Sequence, residues 1–187
     1  MSYTILIQPI GDVDRFILDS LGQELKRALG VFVEVSYTPI PIPEEAYDPR
    51  RDQYISEKVL NYLGLLTQAI PHDRILGIAE FDAYSPPLNF VFGQAEVSGR
   101  LAVVYLPRLR PEFYGQLPNK RLFRLRVLKE ALHELGHTFG LDHCSNPSCV
   151  MTFSNSIMDT DRKEAAYCYK CAGRLRRKGI RVRYVLE

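Results

Sequence analysis

The chain has 187 residues, 46% of them hydrophobic, with 24 basic and 22 acidic side chains. That length suits one compact domain with a single core. No apolar run approaches the length of a membrane span, and a net charge of +2 asks for no special partner.

Residues 3–8 read as a strand, and Asp12 can cap a helix that runs to Leu29. Phe16, Ile17, Leu21, Leu25, Ala28 and Leu29 form its apolar stripe, and Gly30 ends it. Residues 31–37 alternate Val with other residues, which predicts a second strand. A β-α-β unit of this kind makes the two strands parallel with a right-handed crossover. A loop with Pro39, Pro41, Pro43 and Pro49 follows, then a helix over 51–69 and a strand over 74–80. His72 stands alone in the turn before that strand and is read as a solvated loop residue. Residues 90–97 and 101–106 flank Ser98-Gly99-Arg100 and predict an antiparallel hairpin, with Gly93 as a bulge position. The spacing of Leu122, Leu125, Leu128, Leu132, Leu135 and Phe139 predicts a long helix over 120–139, buried on one side. From Leu141 to about Asp159 the chain is irregular and has little core of its own, so it is expected to need metals. The basic run Arg174, Arg176, Arg177, Lys178, Arg181 and Arg183 reads as a solvated helix face and C-terminal end, where cations suit the helix dipole.

The chemistry is concentrated in His133-Glu134-Leu135-Gly136-His137-Thr138-Phe139-Gly140-Leu141-Asp142-His143. Four residues apart on a helix, His133 and His137 stack on one face and can share one metal ion. Glu134 points to the side, where it can act as general base on a metal-bound water. Gly140 can end the helix in a left-handed conformation, which lets the chain turn back and bring His143 to the same ion. Three neutral ligands leave an open position, as hydrolytic zinc requires. Such ligands are lost on protonation, so activity is expected to fade in mild acid.

All four cysteines follow at once: Cys144, Cys149, Cys168 and Cys171, spaced C-x4-C and C-x2-C. Four thiolates make a closed tetrahedral zinc site, here read as structural and bracing the loop that delivers His143. Two disulfides or a redox pair are the competing readings. The N-terminus shows no signal peptide, so a reducing, cytoplasmic setting is expected and disfavours both.

The block from His133 to Cys171, with Met151 inside it, resembles the archaemetzincins, metzincin-like zinc peptidases with an additional four-cysteine zinc. The resemblance implies two zinc ions per chain. One is catalytic, on His133, His137 and His143 with Glu134 as base, and one is structural, on Cys144, Cys149, Cys168 and Cys171. Met151 matches the methionine of the turn beneath the zinc histidines, with Met158 as the alternative. One departure stands out: some metzincins place a transition-state tyrosine two residues after that methionine, and here the position is Phe153. Tyr167 and Tyr169 are the nearby substitutes, and each is better read as a packed or surface residue.

The implied fold is α/β (α+β): a single domain, residues 1–187, with a mixed β-sheet over a long zinc helix. Residues 1–140 carry the sheet and helix, and 141–187 form a zinc-braced C-terminal part. Residues 90–97 are the candidate edge strand that pairs with an extended substrate. The implied function is a zinc metalloprotease acting on peptides or proteins, as a monomer away from membranes. With no inhibitory propeptide expected before the first strand, a narrow cleft or aminopeptidase-like action on short peptides would restrain it. The alternatives are a zinc-stabilised nucleic-acid-binding module or an interaction protein with a relict site. Nucleic acid is not the expected partner, because clustered basic residues are only a footprint.

Overall fold

The computed structural model describes residues 2–187. In chain order the elements are β1 (Thr4–Ile10), α1 (Arg15–Leu29), β2 (Phe32–Val35), β3 (Tyr47–Asp48), β4 (Gln53–Ile55), α2 (Ser56–Leu66), β5 (Arg74–Ala79), β6 (Ala83–Tyr84), β7 (Gly93–Ala95), β8 (Leu101–Tyr105), α3 (Lys120–Thr138), α4 (Ile157–Arg162) and α5 (Tyr169–Arg177). The main sheet has the order β2-β1-β5-β8-β7. Its first four strands are parallel, and β7 alone runs antiparallel, against β8. This is the mixed sheet expected, and β7 lies at its edge.

Side chains alternate between the faces of a strand, and here both faces are covered. Ile5, Ile7, Leu76, Ile78, Ala102 and Val104 meet α1 and α3, whereas Leu6, Ile75, Ala79, Leu101 and Val103 meet α2. Strands buried twice over carry continuous apolar runs, which explains Ile5-Leu6-Ile7 and Leu101-Ala102-Val103-Val104.

Several boundaries differ from those expected. The α1 cap is Asp14, whose carboxylate accepts from the Phe16 N–H at 2.9 Å, and not Asp12. The helix therefore starts later, and Phe16 faces solvent at 59% exposure. The helix expected from residue 51 starts at Ser56, because Gln53–Ile55 pair with β3 and β6. Tyr54 stacks on Phe81 there, with ring centroids 4.1 Å apart. Gly93 is not a bulge, since it pairs in register with Val104. His72 is not merely solvated: its Nε2 lies 2.7 Å from the Glu34 carboxylate.

The long helix appears almost as expected, and Leu128, Leu132, Leu135 and Phe139 are buried, but burial extends around the helix from Arg126 to Gly136. Leu125 is exposed, while Phe123, Val127, Ala131 and also Arg126, Lys129 and Glu130 are buried. The segment after it is less bare than expected. Leu141, Val150 and Met151 are fully buried in the same core as α3, and α4 begins at Ile157 with a capping box from Ser156 and Asp159. The basic run lies on α5 and beyond, where the Arg174 and Arg176 guanidinium groups donate to the Gly140 and Val182 carbonyls, each at 2.9 Å.

Candidate active site and metal centres

Helix α3 ends where the sequence places its stop. Gly140 takes φ 88°, and the Leu141 N–H closes back on the Gly136 carbonyl at 3.0 Å. The reversal brings His143 to the other two histidines, with ring centroids 5.3 Å from His133 and 4.9 Å from His137. One nitrogen from each of the three falls within a group spanning 4.8 Å. The Nδ1 atoms of His133 and His137 face the carbonyls of Val150 (2.8 Å) and Leu141 (2.7 Å), so each Nδ1 carries its proton. Both Nε2 atoms are then bare lone pairs, yet they stand only 3.1 Å apart. Tetrahedral zinc with bonds of about 2.0–2.1 Å holds its nitrogens about 3.3 Å apart. The donor set fits that ion, and carbonyls on the outer nitrogens are the usual second layer of such sites.

The four cysteines also converge, each offering sulfur within 4.8 Å of the others, and none is joined in a disulfide. Cys144 Sγ and Cys168 Sγ are 3.8 Å apart, the edge expected for zinc–sulfur bonds of about 2.3 Å. Burial pushes the Cys149 thiol up to about 11 and Cys171 higher still. Burial also acts on Cys168, but hydrogen bonds from the Cys171 N–H and from neighbouring thiols outweigh it and leave this thiol below its usual value.

A cavity of about 510 Å³ opens over the histidines. Its floor carries Glu134, its upper wall β7, and Phe153 lies beside His143 with centroids 5.1 Å apart. Burial, and after it the neighbouring Glu130 charge, raise the Glu134 carboxyl well above the usual range, while Lys163 acts in the opposite direction. Burial lowers all three histidines, His133 furthest. Among the described residues, Glu130 and Glu134 are the only carboxylates lining the cavity, and no lysine or arginine lines it.

Met151 is fully buried with its sulfur against Gly136 of α3, whereas Met158 is 68% exposed. A Cβ at Gly136 would overlap the Met151 sulfur, which gives the glycine of the motif its reason. Tyr167 donates to the Leu132 carbonyl at 2.7 Å, Tyr169 is 83% exposed, and neither lines the cavity. Phe153 thus has no nearby tyrosine substitute. Three contributors were missed at the sequence level. Gly93 has its Cα so close to Glu134 that a Cβ would lie 2.8 Å from Cγ and Oε1. Glu130 reaches the same cavity, and its spacing of four from Glu134 was a usable signal. Lys163 is wholly buried beside Glu130, and nothing local marked it.

The profile of Peptidase family M54 matches residues 17–177. The archaemetzincin of Methanocaldococcus jannaschii is 46% identical over 180 residues, spanning 96% of this chain and 97% of that protein. That of Pyrococcus furiosus is 42% identical, spanning 91% of each. Among solved structures, the archaemetzincin from Archaeoglobus fulgidus, complexed with malonate, is 37% identical with a TM-score of 0.79, covering 91% of this chain and 99% of that one. The one from Methanopyrus kandleri is 38% identical with a TM-score of 0.81, covering 94% of each. Fold, donor sets and relatives together define a zinc-dependent metallopeptidase. The chain belongs to Peptidase family M54, the family of the archaemetzincins.

Proposed function

We propose that the chain hydrolyses peptide bonds at a zinc ion held by His133, His137 and His143, with Glu134 as general base, and that Cys144, Cys149, Cys168 and Cys171 hold a second, structural zinc. The observation that carries this reading is the pair of bare Nε2 atoms at 3.1 Å, backed by Nδ1 protons committed to carbonyls. When bound, zinc supplies Lewis acidity, lowering the pKa of a water to about 7 and polarising a carbonyl oxygen. Glu134 takes the proton of the attacking water on its carboxylate and returns it to the leaving amine. Its burial supports this role, because a desolvated carboxylate holds a proton more strongly.

The substrate lies along β7. In the β7–β8 ladder, Tyr105 N–H bonds Phe92 O and Glu96 N–H bonds Leu101 O, both at 2.9 Å. Antiparallel ladders alternate, so the peptide groups of Gly93 and Ala95 point outward and can pair with an extended peptide. Met151 packs under α3 as the turn methionine. The chain acts as one catalytic unit, a cytoplasmic monomer, on short peptides in an aminopeptidase-like manner. No helix among the described residues is long and apolar enough to cross a membrane.

Metal analysis should give two zinc ions per chain, and a peptide-library digest should show cleavage that Glu134→Ala abolishes while keeping both metals. Free and N-acetylated peptides in the same digest separate exopeptidase from endopeptidase action. Substantial turnover by Glu134→Ala would remove Glu134 from its role, and equal cleavage of blocked peptides would remove the aminopeptidase reading.

A further inference from the structure

Among the described residues, Lys163 is the one lysine at 0% exposure. Its ammonium lies 3.3 Å from Glu130 Oε1 and donates to the Thr152 carbonyl at 3.2 Å. Glu130 Oε1 also accepts from the Thr160 hydroxyl at 3.0 Å. A buried ion pair is poor evidence of stability, because desolvating two charges offsets most of their attraction. Nor is the pair needed to fasten α4 to α3. Arg126 already grips Asp161 with two bonds of 2.8 and 2.7 Å, and Lys129 donates to the Thr160 and Asp161 carbonyls at 3.0 and 3.3 Å. What Lys163 alone adds is the tie to Thr152.

Thr152 ends a three-residue turn whose carbonyls have separate tasks. The Val150 carbonyl takes the Nδ1 proton of His133 at 2.8 Å. The Met151 carbonyl takes the N–H of Cys144, the residue after His143, at 3.0 Å. The Thr152 carbonyl goes to Lys163, and its hydroxyl donates between the carbonyls of Asn146 and Cys144, the latter at 3.0 Å. One short segment therefore sets the outer partner of the first histidine and the backbone next to the third. Met151, in its middle, fills the space left by Gly136.

We propose that Lys163 is a positioning residue for the histidine metal centre: its ammonium pins the turn Val150–Thr152 to Glu130 on α3, and through that turn it fixes the placement of His133 and His143. This rests on the reading of the three histidines as a metal centre. Losing an outer partner of a metal ligand typically weakens metal binding by about 10- to 100-fold, and Lys163 acts one link further out, toward the lower end of that range.

Two variants of the full-length, zinc-loaded protein test it: Lys163→Met, and Lys163→Met with Glu130→Gln, which leaves no unpaired buried charge. Zinc affinity is read by chelator competition, and cobalt substitution tells the sites apart, because thiolate-bound cobalt has charge-transfer bands that imidazole-bound cobalt lacks. The double variant should keep the wild-type Tm and the thiolate bands, yet bind metal at the histidine site about 10-fold more weakly with an altered cobalt spectrum. Wild-type affinity in the double variant would overturn the proposal, leaving the pair as packing alone. Joint loss of Tm and of both metal sites would overturn it too, by showing a general structural role. A wild-type protein that binds metal only at the cysteines would instead refute the metal-centre reading beneath it.

Discussion

The proposed role of Glu134 as base sets chemistry against stability at a single buried residue. Its folded carboxyl titrates well above the unfolded one, chiefly through burial. A raised pKa contributes stability that is present below the unfolded value and lost as pH rises through the folded one. At neutral pH, with the histidine site stripped of metal, wild type therefore carries a cost that Glu134→Gln removes. The variant should melt higher by roughly 2–8 °C at pH 7, for about 1–2 kcal/mol, and the gap should close toward pH 4. Turnover should fall by about 10²–10⁴-fold. Differential scanning calorimetry across pH checks the first part, and a gap independent of pH would contradict it. The histidines have the opposite sign. Burial lowers them, so their contribution is present above the unfolded value near 6.5 and lost as pH falls through the folded values.

At the level of elements, the contact that matters is β7 against α3. Gly93 is glycine because strand and helix touch there: a Cβ would meet the Val103 carbonyl at 2.7 Å and Glu134 at 2.8 Å. In Gly93→Ala the strand or the Glu134 carboxylate, the proposed base, has to shift. Overpacking of this kind costs about 1–3 kcal/mol, and a displacement near 1 Å at a reacting group costs about 100-fold in rate. If the proposed metal centres hold, we expect kcat to fall about 100-fold with metal still bound at the histidine and cysteine groups. Unchanged kcat would mean that the Gly93–Glu134 contact does not bear on the proposed role of Glu134. The hairpin itself was legible from two runs flanking the turn Ser98-Gly99-Arg100. The reason for Gly93 was not, because a glycine required by a neighbour remote in sequence looks the same as one required by a bulge.

Across the whole molecule, the cysteine centre and the sheet share one core. Cys149, Cys168 and Cys171 belong to the same buried cluster as Ile7 on β1 and Leu132 on α3. A defect at the cysteines should therefore spread. Cys168→Ser should lower stability by at least about 3 kcal/mol, roughly 6–12 °C in Tm, with turnover lost along with the fold and not ahead of it. Thermal melts beside activity at each temperature check this. A variant of full stability that failed only at the histidine site would refute the structural role of the cysteines.

What the sequence determined by itself is what can be written within a few turns of chain. Both donor sets lie between His133 and Cys171, and their spacing on a helix, past a glycine stop and around short loops is local geometry. The strands at residues 3–8, 74–80 and 101–106 were legible for the same reason, since apolar runs need no partner to be seen, and residues 31–37 by their alternation. Tertiary structure alone decided the rest. It turned Arg126, Lys129 and Glu130 inward and left Leu125 outside, because Asp161, Thr160 and Lys163 come from a remote segment to offset the burial of those polar groups. It also set β7 over Glu134, and Lys163 beneath the turn that holds the histidines. A charge finds its partner across space, and a hydrophobic period along one helix carries no record of that partner.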